Sequence, residues 1–118
     1  MVQIEEIAEA ALRGDSLLVR SLTQRFFRQS PHLTAIPKPV EADEYLLAMS
    51  ASLLELFAIR LGQDAPPWTA GVGPTTEPIF LLKAAQSMKR LRQLCEAESP
   101  EPLRKRGFYA PPNYLEFA

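Results

Sequence analysis

The sequence predicts an all-α fold, a compact bundle of four main helices plus a short C-terminal helix, with two Pro-rich connectors. Apolar residues recur three and four positions apart in four segments, which is the period of an α-helix. No segment alternates apolar and polar side chains as a half-buried strand does. All 11 prolines lie between or after those segments, where they stop helices from continuing. The length of 118 residues predicts one domain, residues 1–118.

Composition narrows the classes of protein to which the chain can belong. Its 47% hydrophobic and 23% charged residues are ordinary for a globular domain, and a net charge of −1 gives no strong field towards nucleic acid or a membrane. One cysteine leaves no internal disulfide framework, which suits a reducing compartment. No stretch reaches the roughly 18 apolar residues of a membrane span, and residues 1–6 lack the features of a secretory signal. We therefore expect a cytoplasmic protein without a membrane partner.

The first two helices are predicted on either side of Gly14, a residue that commonly ends helices. Asp15 is the predicted N-cap of the second helix, which extends over about 16–29. In each helix the apolar residues share one face: Ile4, Ile7, Ala8, Ala11 and Leu12 in the first, and Leu18, Leu22 and Phe26 in the second.

The third helix, about 42–61, is predicted to be central. Residues 30–40 precede it and contain three prolines, so they are expected to cross the surface as an extended connector. Between Tyr45 and Ile59 the only polar or charged side chains are Ser50, Ser52 and Glu55, and a helix that is apolar on most sides is buried on most sides. Gly62 is predicted to end this helix.

The second connector, residues 63–78, leads into a fourth helix predicted over about 79–97. Its apolar stripe consists of Leu81, Ala84, Ala85, Met88, Leu91, Leu94 and Cys95. A short fifth helix is predicted to begin at Ser99-Pro100, the favoured pairing of N-cap and first helical residue, and to end at Gly107. The apolar residues of the tail are expected to pack against the domain: Phe108, Tyr109, Tyr114, Leu115 and Phe117.

No catalytic or metal-binding set is apparent, so we predict a protein that is not an enzyme and takes no cofactor. The one histidine, His32, and the one cysteine, Cys95, are far apart in the sequence, and Cys95 suits a small buried apolar position. The glycine-rich segment 71–76 lacks the lysine of a phosphate-binding loop. Glu77 is a lone carboxylate, whereas glycoside hydrolysis needs a facing pair.

The second half of the chain contains the residue types that anchor protein interfaces. The predicted partner-binding set is Trp68, Arg104, Arg106, Phe108 and Tyr109. Tryptophan and arginine are enriched among the residues that contribute most to binding. Other roles remain open for three of these residues. Trp68 is also suited to closing one end of the helical core, and Arg104 and Arg106 are also suited to clamping carboxylates of the tail or of a partner.

A nucleic-acid-binding accessory protein is the alternative function. It would use the basic face of residues 83–106, with Lys89, Arg90, Arg92 and Lys105, joined by Arg104 and Arg106, on phosphates. Against this, Glu96, Glu98 and Glu101 offset the charge, as on an ordinary solvated face. The turn at Gly14 suggests a DNA-binding helix-turn-helix, but the positions that are apolar in that motif are Glu9, Arg13, Arg20 and Thr23.

The second half also resembles a group of small, largely uncharacterised bacterial helical proteins, some of them antitoxin-like. The shared features are a Trp-Thr loop and a C-terminal Ser-Pro step followed by an Arg-rich run. Here they are Pro67-Trp68-Thr69, Glu77-Pro78, Leu91 and Leu94 before Glu98-Ser99-Pro100, and Arg104-Lys105-Arg106-Gly107-Phe108. The match covers about residues 65–117 and departs at Ile79, where many members have a Trp-Phe pair.

The resemblance implies a binding role and supplies no catalytic residue. The implied partner is another protein, a toxin or a subunit of a complex. Self-association is left open, because the third helix is too apolar for a monomer to cover with ease.

Overall fold

A computed structural model describes residues 1–115 and confirms the all-α fold. Its helices are α1 (Ile4–Leu12), α2 (Ser16–Arg28), α3 (Glu44–Leu61), α4 (Lys89–Glu98) and α5 (Glu101–Arg104). Short 3₁₀ turns occupy Leu33–Ala35, Pro67–Gly71 and Lys83–Gln86, and two-residue strands β1 (Ile79–Phe80) and β2 (Phe108–Tyr109) pair in parallel. The radius of gyration is 13.3 Å, close to the roughly 13.5 Å expected of a compact chain of this length.

Local capping contacts fix the first two helices, as predicted. The Leu18 amide donates to Asp15 Oδ1 at 3.2 Å, which confirms Asp15 as the N-cap of α2. Gly14 lies just beyond α1 with φ of 72°, a left-handed conformation that suits glycine. The Gln29 side chain accepts a 2.6 Å hydrogen bond from the Val2 amide, so the end of α2 holds the start of the chain.

Helix α3 is the centre of the fold, as predicted. It begins where the Leu46 amide donates to the N-cap Asp43 at 2.8 Å, and ends at Gly62 with φ of 67°. Every residue from 48 to 58 is buried except Glu55, which is half-buried. The Phe57 ring lies 5.8 Å from that of Phe26 and 5.0 Å from that of Phe27, between centroids. These aromatic contacts join α3 to α2.

The first connector is tied to the domain by side chains from the second half. The side-chain amide of Gln63 accepts a hydrogen bond from the backbone N–H of Leu33 and donates one to the Pro31 carbonyl, both at 3.1 Å. Leu33 is fully buried. The Trp68 indole N–H donates to the Ile36 carbonyl at 2.9 Å. The connector is thereby held against the core, and the 3₁₀ turn at Leu33–Ala35 interrupts its predicted extended backbone.

The predicted fourth helix is wrong over its first ten residues. Helix α4 begins only at Lys89, because Ile79 and Phe80 pair with the tail as a strand. The Ile79 amide donates to the Gly107 carbonyl at 2.8 Å and the Leu81 amide to the Tyr109 carbonyl at 2.9 Å. The predicted stripe is broken as a result: Leu81, Ala85 and Cys95 are buried, whereas Met88 is 56% exposed and Leu94 37%.

The short fifth helix exists, but Ser99 does not cap it. Helix α5 starts at Glu101, after Pro100. The Ser99 hydroxyl donates to the Cys95 carbonyl and accepts a 2.9 Å hydrogen bond from the Ala110 amide, so it fastens the tail to α4. Leu115 is 3% exposed, in agreement with a packed tail. Phe117 lies outside the described residues.

Replacing Gly107 with alanine is expected to lower the free energy of unfolding by about 1–2 kcal/mol, because Gly107 has φ of 90°. A Cβ there would also lie 3.0 Å from Thr75 Oγ1, an atom that hydrogen-bonds the Glu77 carbonyl. Gly73→Ala is the matched control, since no atom lies within 4 Å of its Cβ position. Urea denaturation of both variants checks this, and equal stabilities would contradict it.

Candidate functional site

Arg106, the largest fully buried side chain of residues 1–115, uses all five of its N–H donors inside the domain. Its Nη1 and Nη2 atoms donate to the two carboxylate oxygens of Glu55 at 2.7 and 3.0 Å. Nη2 also donates to the Thr69 carbonyl at 2.7 Å, Nη1 to the Pro102 carbonyl at 3.3 Å and Nε to the Val72 carbonyl at 3.1 Å. One side chain therefore joins α3, the second connector and α5.

Glu55 is held as a carboxylate by two cations. Lys105 Nζ lies 2.8 Å from Glu55 Oε1, on the solvent side of the pair with Arg106. Burial by itself raises the pKa of Glu55, but hydrogen bonds from Arg106 and Lys105 outweigh it and lower the pKa from 4.5 to about 2. Arg106 therefore clamps a carboxylate, but that carboxylate belongs to α3 and not to the tail or a partner as predicted, and Arg104 binds the Ala97 carbonyl instead.

The predicted partner-binding set does not form one surface, because two of its members are buried and the other three are in contact with groups of the domain itself. Arg106 is 2% exposed and Phe108 is fully buried, so neither reaches a partner in this fold. Trp68 is half-buried, and its indole N–H is bound to the first connector. Arg104 is exposed, but its Nη1 atom donates to the Ala97 carbonyl near the end of α4 at 3.0 Å. These residues hold the second half of the chain together.

Tyr109 belongs to a stack on the outside of the strand pair. Its ring is stacked on that of Phe80, with centroids 5.3 Å apart. The guanidinium of Arg92 lies over the Phe80 ring at 5.0 Å, in a cation–π contact. Arg92 is also paired with Glu96 at 3.3 Å. The stack fastens α4 to the strands.

The six cations of the predicted basic face do not converge. Arg106 and Lys105 are bound to Glu55, Arg104 to the Ala97 carbonyl, and Arg92 to Glu96 and Phe80. Lys89 and Arg90 remain exposed at the start of α4, without an ion pair to any residue of 1–115. A phosphate-binding surface on this face would consist of little more than these two.

A groove of about 330 Å³ lies between α3 and α5, over the outer side of the Glu55 cluster. Its apolar surface comes from Ala58, Ile59, Ala65 and Pro102, and its polar lining from Glu55, Gln63, Asp64, Glu101 and Lys105. Ile59 is 69% exposed, although it lies on the most buried helix of the domain. Asp64 and Glu101 form no ion pair with the described residues. The groove combines apolar side chains with polar ones, of which three are acidic, and we call the polar residues its rim.

The remaining chemically reactive side chains give no assembled centre. Cys95 is fully buried, and burial, with the adjacent Glu96 carboxylate, raises the pKa of its thiol. His32 is exposed at the start of a 3₁₀ turn in the first connector. Within residues 1–115, no group of three or more His, Cys, Asp or Glu side chains is placed to hold a metal ion.

No helix in that range has the length and apolarity to cross a membrane.

Sequence reasoning missed both Glu55 and the groove. The only signal for Glu55 was an isolated acid in an otherwise apolar stretch of α3, which indicates a buried cationic partner. Ile59 carried no signal, since an apolar residue in an apolar helix is expected to be buried.

No protein-family model, curated protein sequence or solved structure matches this chain. The resemblance of residues 65–117 to small antitoxin-like bacterial proteins therefore stays a prediction.

Proposed function

We propose that the chain is a non-enzymatic protein-binding component of a larger complex, and that its partner docks in the groove between α3 and α5. The observation that carries the proposal is Ile59, 69% exposed beside a concave surface of Ala58, Ala65 and Pro102. A mixture of exposed apolar and polar side chains is the composition of a protein interface.

The rim determines the chemistry of the partner segment. Lys105 is neutralised by Glu55, whereas Asp64 and Glu101 have no cationic partner among the described residues. The unmatched charge on the rim is therefore negative. The complementary segment is an apolar anchor side chain flanked by lysine or arginine. A toxin in an antitoxin-like pair, or a complex subunit, is the kind of partner that the resemblance supports.

The rigidity of the groove supports the same proposal. One wall is α3, the central helix, and the other is α5, which Arg106 fixes through both Glu55 and the Pro102 carbonyl. A surface that is already ordered loses little conformational freedom on binding, so more of the contact energy appears as affinity.

Replacing Ile59 with glutamine is expected to weaken partner binding by at least about tenfold, because truncating a central anchor costs about 1–2 kcal/mol or more. The partner is first isolated with the tagged wild-type protein from its native extract, with and without nuclease, and its affinity is then measured by calorimetry. Leu17→Gln is the matched control, a helical apolar residue that is 82% exposed and far from the groove in sequence.

A second pair of variants tests the charge of the rim. Asp64→Asn with Glu101→Gln is expected to weaken binding and to reduce its dependence on salt, because two attractive charges are removed. Equal affinities of the wild-type and Ile59→Gln proteins would show that the groove is not the docking site. Recovery of nucleic acid alone, lost at high salt, would replace the proposal with the phosphate-binding alternative.

A further inference from the structure

Helix α4 lies on the surface with little cover from the rest of the domain. Of its ten residues, eight are exposed; Cys95 is buried and Leu91 half-buried. An outward seam is formed by Arg90, Leu94 and Ala97, which recur at intervals of four and three and so share one face. We call these three residues the α4 seam.

The charges of α4 run against its own dipole. Lys89, Arg90 and Arg92 occupy the half at the positive N-terminal end, and Glu96 and Glu98 the half at the negative C-terminal end. Each of these placements destabilises an isolated helix. Arg92 is offset within the chain by Glu96 and Phe80, and Arg104 donates to the Ala97 carbonyl at the C-terminal end. Lys89, Arg90 and Glu98 have no ion pair among residues 1–115, which leaves their charges for an interaction outside the chain.

We propose that the α4 seam pairs with the α4 seam of a second copy of this chain, antiparallel across a two-fold axis near Gln93 and Leu94. Antiparallel pairing places the basic half of each helix beside the acidic half of the other, so both the charges and the dipoles become complementary. A two-fold interface is self-complementary, and each contact occurs twice. This proposal is independent of the groove between α3 and α5.

The register follows from the positions along the helix. With the axis between positions 93 and 94, Leu94 of one copy meets Gln93 and Leu94 of the other, and Arg90 lies beside Ala97. The small Ala97 side chain lets the guanidinium of Arg90 extend to Glu98 of the second copy. Arg90 and Glu98 are both exposed and form no ion pair within residues 1–115, so both are available. Leu94, 37% exposed, supplies the apolar contact at the axis.

The expected association is weak. A helix of ten residues is about 15 Å long, and two such helices cover less area than a standard interface. Sedimentation equilibrium of the full chain up to about 1 mM is therefore the measurement, at low and at high salt. A dimer that weakens as salt screens the Arg90–Glu98 contacts is expected.

Charge reversal provides the decisive test. Arg90→Glu places a glutamate opposite Glu98 of the second copy, and Glu98→Arg places an arginine opposite Arg90, so each variant alone is expected to dimerise at least about tenfold more weakly. An equimolar mixture is expected to restore the dimer, because opposite charges then face each other at both ends. Both changes favour the helix dipole, so circular dichroism is expected to show an unchanged or higher helix content. Lys83→Glu changes the net charge by the same amount as Arg90→Glu, outside α4, and is expected to leave the dimer intact.

Three outcomes would overturn the proposal. One is a wild-type protein that remains monomeric up to about 1 mM. Another is a dimer that Arg90→Glu and Glu98→Arg leave unchanged, which would place the interface elsewhere, or a mixture that fails to restore it. The third is co-purification of nucleic acid with the wild-type protein, lost in Arg90→Glu, which would assign the cations of α4 to phosphates.

Discussion

Arg106→Met is expected to lower the free energy of unfolding by about 3–5 kcal/mol, the largest effect of any single change at the Glu55 cluster. Methionine roughly fills the volume but donates no hydrogen bond. Glu55 then has Lys105 as its remaining cationic partner. The Val72 and Pro102 carbonyls lose the Arg106 donor, and the Thr69 carbonyl retains the Val72 amide. Unpaired buried groups of this kind carry the full cost of their desolvation.

Lys105→Met is the matched control for that experiment. Its ammonium group binds the same carboxylate, but the Lys105 side chain is 46% exposed, whereas that of Arg106 is 2% exposed. A solvent-screened ion pair contributes about 0–1 kcal/mol. Urea denaturation followed by circular dichroism measures both variants. Equal losses in the free energy of unfolding would show that the buried guanidinium of Arg106 is not what holds the second connector to α3 and α5.

The double variant Glu55→Met with Arg106→Met separates the charge from the carbonyl contacts. Removal of both charges abolishes the uncompensated carboxylate, so part of the stability lost in Arg106→Met is expected to return. The three carbonyls still lack the N–H groups of Arg106, so recovery is incomplete. The interaction energy from the double-mutant cycle gives the coupling between the two side chains. A cycle with no coupling would contradict the pairing.

The helices that sequence predicts well are those whose ends are set by neighbouring residues. Asp15 caps α2 and Gly62 ends α3 through contacts within four residues, and the apolar periods of both helices are intact. A local pattern therefore carries enough information to place them. The prolines of the first connector likewise exclude an α-helix there, although Leu33–Ala35 form a short 3₁₀ turn.

The errors arise where distant segments meet. Residues 79–80 have an apolar helical period, but their amides are paired with carbonyls of the tail, so tertiary pairing overrides local preference. The Arg106–Glu55 contact spans 51 positions. Arg106 was predicted to be a surface anchor because buried arginines are uncommon. No local sequence pattern indicates that the half-buried carboxylate of Glu55 on α3 is its partner.

The candidate partner-binding surfaces in the structure differ from the predicted one for the same reason. Trp68, Arg106 and Phe108 are the residue types that anchor interfaces, yet the domain uses them to fasten its own connectors, tail and helices. The surfaces left for partners consist of less conspicuous residues, Ile59 in the groove and the α4 seam. Residue type alone cannot distinguish an internal anchor from an external one, because the same side chains gain from burial and hydrogen bonding in a domain core and in a protein interface.

The stability of the protein is expected to fall by about 3 kcal/mol in acid through Glu55 alone. The pKa of Glu55 is about 2 in the folded chain against an ordinary 4.5. A lowered folded pKa gives stability that is complete above about pH 4.5 and is lost as the pH falls towards 2, since the proton binds more readily once the chain unfolds and the contacts with Arg106 and Lys105 are gone.

The contribution of Glu55 is isolated by comparing the pH dependence of unfolding in the wild type and in Glu55→Gln. Glutamine cannot titrate, so the free energy of unfolding of the variant is expected to change less between pH 5 and pH 2.5, by about 2–3 kcal/mol, although the variant is less stable at neutral pH. Glu96→Gln is the matched control: Glu96 also pairs with an arginine, but its side chain is 50% exposed, so the wild-type slope should be kept. Parallel plots of the free energy of unfolding against pH for the wild type and Glu55→Gln would mean that the guanidinium of Arg106 does not hold the Glu55 carboxylate. They would also remove the electrostatic basis for fixing α5 as a wall of the groove.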